Sequence, residues 1–315
     1  MVRVLSFRIR PLIIGGLLLL LALSPQPGWA LLMQLETQGG YQYNTFGWTI
    51  AGPGGRPNIL SELNFKSHGP KGQLSLQWST DNQLFFAKTL VGYSQLTGGQ
   101  VQDDDYFLDN RQGQFSSSRT TIGGNGVQNY VLDLGWRPLR NEYLSLALLG
   151  GFRYDFQSYR ITTPGTQLNP PGAVTFDGLN SMYNWRTYGF SLGLNAIVPL
   201  GTLPLSFIMT GHYLPSLTYI GKGFWNLRGG SAPTDFRQDP SFRHDSKGTG
   251  GDLDLSLRFR ITEHWHTSIG TQFSWIKIKS GDDQTFFQDG SAPIIPFNGA
   301  DLRSRFFYGS VGVRW

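Results

Sequence analysis

The chain of 315 residues contains no cysteine, which excludes a disulfide scaffold and a thiol nucleophile. It is also poor in charge. Asp, Glu, Lys and Arg make up 15% of residues, against roughly 25% in an ordinary soluble domain. Beyond the first 30 residues there is no apolar run of the ~18 residues that a spanning helix needs. What the chain has instead is glycine and rings: 41 Gly, 22 Phe, 13 Tyr and 9 Trp. That many aromatics excludes a disordered chain. The polar complement is mainly Ser, Thr, Asn and Gln.

The N-terminus has the form of a secretory signal peptide over residues 1–30. Arg3, Arg8 and Arg10 precede the apolar run from Leu12 to Leu23, Pro25 and Pro27 break it, and Gly28-Trp29-Ala30 supplies small residues at the cleavage positions. The run is short and proline-ended, which argues against a single membrane anchor. Cleavage after Ala30 leaves 31–315 as one domain, with 23 basic residues against 21 acidic ones. A near-neutral exported domain gives no electrostatic basis for binding nucleic acid.

Period-two alternation dominates the remainder. From Asp252 to Ile261 one face is Leu, Leu, Leu, Phe, Ile and the other Asp, Asp, Ser, Arg, Arg. Similar patterns predict ten strands over 37–50, 58–78, 83–97, 127–137, 142–161, 182–199, 203–226, 248–261, 265–279 and 300–315. Gly69-Pro70 suggests a kink in the second, or its division into two. Connections alternate between short ones, such as Gly201-Thr202, and long ones over 98–126, 162–181, 227–247 and 280–299. Short periplasmic turns and long outer loops are the rhythm of an outer-membrane barrel, and an even strand number fits it. The fold class expected is therefore all-β: a ten-stranded antiparallel transmembrane β-barrel extending above the outer membrane. The competing soluble sandwich or lipocalin-like barrel fits less well, because several strands exceed the 9–11 residues a bilayer requires. Trp315 closes the last strand with an aromatic. Trp136, Trp185, Trp265, Trp275 and Trp315 stand near strand ends, where an aromatic girdle lies.

Chemistry-bearing residues are few. Asp103-Asp104-Asp105, followed by Tyr106, falls in the second outer loop; carboxylates held close share a proton or activate water. The plain alternative is a solvated acidic loop, or a loose cation site with Asp109. The five histidines show no metal-ligand spacing. His264 and His266 read as rim residues, His68 sits at the expected kink, and His212 lies within strand seven. His244-Asp245 falls in the fourth outer loop, on the same side as the triplet, where a histidine beside carboxylates can serve as a general base. Arg228, Arg237, Arg243 and Lys247 gather around that loop. Arg303 and Arg305, at the top of strand ten, suit anionic lipid head groups or plain solubility.

This layout resembles the omptin family of outer-membrane proteases, which are ten-stranded barrels with five outer loops. Ile59 to Lys66 resembles the family's second-strand opening. Gly98-Gly99 followed by Asp103-Asp104-Asp105-Tyr106 resembles its Gly-Gly and Asp-x-Asp-Trp, with Tyr106 in place of tryptophan. The resemblance implies aspartic-type endopeptidase chemistry without a covalent intermediate. Asp103 and Asp105 would form one side of a cleft and an Asp-His dyad the other. It also implies lipopolysaccharide as an activating lipid, no other cofactor and no metal, exposed peptides or proteins as substrates, and a monomer in the outer membrane of a Gram-negative cell. The dyad is expected near the top of strand seven, where Gly223 and Trp225 stand instead. Neither side chain can take a proton from water. His244 is the candidate replacement if the fourth loop folds over the cleft. The other reading is a non-catalytic barrel for surface binding, adhesion or lipid interaction. A porin is a third, though ten strands with large inward side chains leave a narrow lumen.

Overall fold

The computed structural model describes residues 31–172 and 176–315; the signal peptide expected over 1–30 lies outside them. Alternating residues form thirteen antiparallel strands: β1 Leu31–Ile50, β2 Ser61–Thr80, β3 Phe85–Gln95, β4 Gly98–Leu108, β5 Gln112–Ile122, β6 Gly126–Arg140, β7 Ser145–Asn169, β8 Asn180–Pro199, β9 Leu205–Phe224, β10 Phe242–Arg260, β11 Trp265–Ile278, β12 Gly281–Thr285 and β13 Ile294–Arg314. Neighbours in sequence pair with one another except at β3–β4, β5–β6 and β11–β12, and β1 has a partner on each side: β2 from Leu31↔Thr80 to Ile50↔Ser61, and β13 from Gln34↔Arg314 to Ile50↔Phe297.

Strands replace much of the expected loop. The segment 98–126 is mostly the hairpin β4–β5, which continues the sheet upward from β3 and β6. β2 pairs with β3 over Lys71–Ser79 and with β4 over Ser61–His68. The partner change falls at Gly69-Pro70, so the proline that suggested a kink sits at a seam where no ladder bond from its nitrogen is needed. β2 is one uninterrupted strand. His244 and Asp245 are likewise not in a loop: β10 begins at Phe242 and pairs there with β9 and β12. The expected short turns near 81, 141, 201 and 263 are present.

Exposed apolar side chains mark the lipid-facing band, among them Phe190 (75% exposed), Leu192, Ile269 and Val311. Trp136, Trp265, Trp275 and Trp315 are about half exposed, as a girdle requires. Trp185 is not part of it; it points inward and is 2% exposed.

The interior has two strata. At membrane level it is polar and ion-paired. His212 lies between Asp252 (3.2 Å) and Asp133 (3.3 Å), Arg153 pairs with Asp252 at 2.5 Å, and Arg258 pairs with Glu36 at 3.0 Å. His266, expected at the rim, is buried beside Glu36 at 3.5 Å. A cavity of about 120 Å³ lies among these groups. Above it, inward rings from β1, β2, β7, β8, β9, β10 and β13 meet in one apolar cluster. Phe65 stacks on Tyr159 at 4.5 Å, and Phe46 lies 5.5 Å from Trp185 and 5.8 Å from Tyr183. Such ring pairs contribute ~0.5–1.5 kcal/mol each beyond the area they bury.

Candidate functional site

The acidic triplet lies on β4 and the strand pleat divides it. Asp103 pairs with Leu63 and Asp105 with Ser61, both on the inward face of β2. Residues opposite each other on a ladder share a face, so Asp103 and Asp105 point inward and Asp104 outward. Asp104 is satisfied there by Ser117 at 2.6 Å, Gln102 at 3.0 Å and Gln114 at 3.1 Å. The Ser61 hydroxyl donates to Asp103 Oδ1 at 3.5 Å. Burial, followed by the charge of Asp105, holds Asp103 well above the usual carboxylate range. Burial likewise raises Asp105. Two such carboxylates titrate as a pair.

Across from them the charge is Arg228, whose field acts on both carboxylates. It ends the short 3-10 turn Asn226–Arg228 after β9, and its guanidinium lies 4.7 Å from the Phe236 ring centre. It forms no ion pair with either aspartate.

Rings fill the wall where the dyad was expected. Phe242 lies opposite Gly223 on the ladder, and a Cβ at Gly223 would come 2.0 Å from the Phe242 ring. The Trp225 ring meets Phe242 edge-on at 4.8 Å. Glycine at 223 and phenylalanine at 242 are thus one packing solution, and it leaves no room for a carboxylate.

His244 is fully buried. Its Nδ1 is 2.8 Å from the Tyr183 hydroxyl, which is 2.7 Å from that of Tyr219. Its Nε2 is 3.3 Å from Asp283 Oδ1, itself buried on β12. Phe297 stacks on the imidazole at 4.4 Å, and Trp48 meets its edge at 4.8 Å. A Cβ at the facing Gly221 would lie 2.3 Å from the Tyr183 hydroxyl, so that hydrogen bond depends on glycine there. His244 bonds neither Asp103 nor Asp105. From Asp103 the ladders lead to Leu63 and then to Trp48, whose indole is what His244 touches.

The structure therefore brings Asp103 and Asp105 together and holds His244 in a separate, closed environment. Sequence reading missed Asp283, left in a loop, and Phe242. No local pattern ties either to its partner, because both contacts depend on ladder register. His68 is outward, 2.7 Å from the Tyr41 hydroxyl, and His264 bonds the Arg314 carbonyl at 3.0 Å. Among the described residues no group of three or more Asp, Glu or His is arranged to hold a metal.

Comparison with known proteins follows this geometry. The fold is similar to that of the outer membrane protease OmpT from Escherichia coli, with a TM-score of 0.69 at 13% identity, covering 92% of this chain and 99% of OmpT. This is a distant structural relationship to the omptin family. A major outer membrane protein from Thermus thermophilus (TM-score 0.34, 13% identity, 91% and 100% coverage) and the NalP translocator domain from Neisseria meningitidis (0.37, 10%, 97% and 96%) are similar at a level that bears on nothing finer. No curated protein matches. The chain is a bacterial outer-membrane β-barrel with outward-facing loops. Its residues 36–313 match the family model described as Pom, Protochlamydia outer membrane protein, and it belongs to that family.

Proposed function

We propose that this protein is a non-hydrolytic barrel on the omptin fold, and that its outer cleft binds cationic groups of exposed peptides at Asp103 and Asp105. The observation that carries the reading is the Phe242 ring over Gly223, with Trp225 against it, where a water-activating dyad would have to stand. His244 supports it from the other side. Its Nδ1 is hydrogen-bonded to Tyr183, its Nε2 faces the buried Asp283 at 3.3 Å, and it has no exposed surface on which to meet a water and a substrate. Loss of a general base alone costs ~10²–10⁴-fold. The reading includes an architecture: 31–315 as a single closed ten-stranded barrel, with β3 and β4, β5 and β6, and β11 and β12 each counting as one stave, and 1–30 removed as a signal peptide. It also keeps the protein monomeric, with outer-membrane lipid around it.

The test uses the mature chain folded in micelles with and without lipopolysaccharide. A dibasic fluorogenic peptide is expected to bind and to remain intact. Asp103→Asn/Asp105→Asn is expected to weaken binding about tenfold or more, the scale of a lost charge-assisted contact. Peptide turnover that disappears in Asp105→Asn would restore the endopeptidase.

A further inference from the structure

At the periplasmic end the lumen finishes in arginines without carboxylates. Along β6 the inward residues are Asp133, Gly135 and Arg137. Arg137 is 8% exposed and its guanidinium lies 4.9 Å from the Phe86 ring centre, over a small apolar floor of Phe86, Ala147 and Leu149. Its Nε is buried and has no partner. Arg140, where β6 ends, and Arg314, on the inward face of β13, bring like charge to bear on it. Among the described residues none of the three side chains has an ion-pair or hydrogen-bond partner. Higher in the lumen, by contrast, Arg153 and Arg258 each have a carboxylate. The acids of this end, Asp81, Glu142 and Glu263, lie exposed on or beside the turns.

A guanidinium does not shed its proton at any ordinary pH, and an enclosed charge with no counter-charge is costly. The nearest inward carboxylate on β6, Asp133, faces His212 at 3.3 Å and forms no ion pair with any of the three arginines. An anion from solution can supply the counter-charge. Forked N–H donors suit an oxyanion with two or more oxygens. We propose that the periplasmic mouth is an oxyanion site in which Arg137, Arg140 and Arg314 hold a phosphate group, entering from the periplasm on a soluble phosphate compound.

The mature chain in an uncharged maltoside micelle is titrated with inorganic phosphate at constant ionic strength made up with chloride, and binding is read from the ³¹P line width. Saturable broadening is expected. Arg140→Gln, an exposed position whose change leaves the floor intact, and Arg314→Gln are each expected to weaken it about tenfold. The double variant Arg303→Gln/Arg305→Gln on the outer lipid-facing rim is expected to bind as the parent does. Absence of saturable broadening in the parent overturns the site, as do two periplasmic variants that bind normally. Loss confined to the outer-rim variant also overturns it, and assigns the phosphate to the lipid head-group belt.

Discussion

Two inward carboxylates, Asp103 and Asp105, stand on one strand at the outer end. Their raised affinity for protons makes the folded chain hold a proton that the unfolded chain has already lost. The sign follows from linkage: stability falls as pH rises from the ordinary aspartate value of 3.8 through the raised values of the pair. A bound cation reverses the balance by favouring the doubly ionised state. Binding of a cationic peptide should therefore release protons within that window and weaken as pH falls. Titration calorimetry in two buffers of different ionisation heat measures this; equal apparent heats in both would contradict it. The Gly223–Phe242 contact gives a second result at this scale. Gly223→Ala places its methyl carbon against the ring and should destabilise by ~1–3 kcal/mol, the usual cost of overpacking. Adding Phe242→Ala should remove most of that penalty, because the two sites share one space. Urea unfolding in micelles reads both, and additive effects would show that the ring is not what excludes a side chain at 223.

The hairpin β4–β5 is the element that carries Asp103 and Asp105, and its pairing shows how separable it is. Below it, β3 and β6 pair with each other directly from Phe85↔Trp136 to Gln95↔Gly126. Above, β4 leans on β2 and β5 on β7. Replacing residues 97–124 by a two-residue Asn-Gly turn should leave the membrane-level sheet able to fold. The variant should lose cationic-peptide binding and be less stable, since Val101 and Ile122 leave the aromatic cluster. Heat-modifiable migration on a gel tests folding, and failure to fold would mean the hairpin is needed to complete the wall. The same element shows what the sequence could and could not reveal. Strands such as 252–261 were legible because lipid on one side and a wet lumen on the other impose strict alternation. Gly98 to Ile122 was not, because only its ends, Val101 and Ile122, enter the apolar cluster, while between them Gln, Asp and Ser occupy both faces. The acidic triplet was legible from composition, but the choice of Asp103 and Asp105 within it came from the resemblance to the omptin Asp-x-Asp motif. The enclosure of His244 was not, since it depends on Asp283, Tyr183 and Phe297, which lie 39, 61 and 53 residues away.

Across the whole molecule, the two interior strata assign different tasks to the two ends. Much of the buried charge of the membrane-level stratum is paired internally, with His212 between two aspartates and Arg153 and Arg258 each beside a carboxylate. The aromatic stratum above separates it from the outer end that carries Asp103 and Asp105. Tyr159 and Tyr183 are at its centre; both are fully buried, and the Tyr159 hydroxyl has no partner. A ring layer of this kind resists water and ions for two reasons: it is close-packed, and it offers a passing ion nothing to replace its hydration. Opening it by truncation should therefore connect the polar cavity below to the outside. In planar bilayers the double variant Tyr159→Ala/Tyr183→Ala is expected to carry more current per molecule than the parent. Asp104→Asn, on the outward face of β4, should leave current unchanged. If the tyrosine variant, shown to be folded by its gel migration, conducts no more than the parent, the barrier lies elsewhere. The arginine floor at Arg137 and Phe86 is then the remaining constriction, and Phe86→Ala should raise conductance where the tyrosine variant did not.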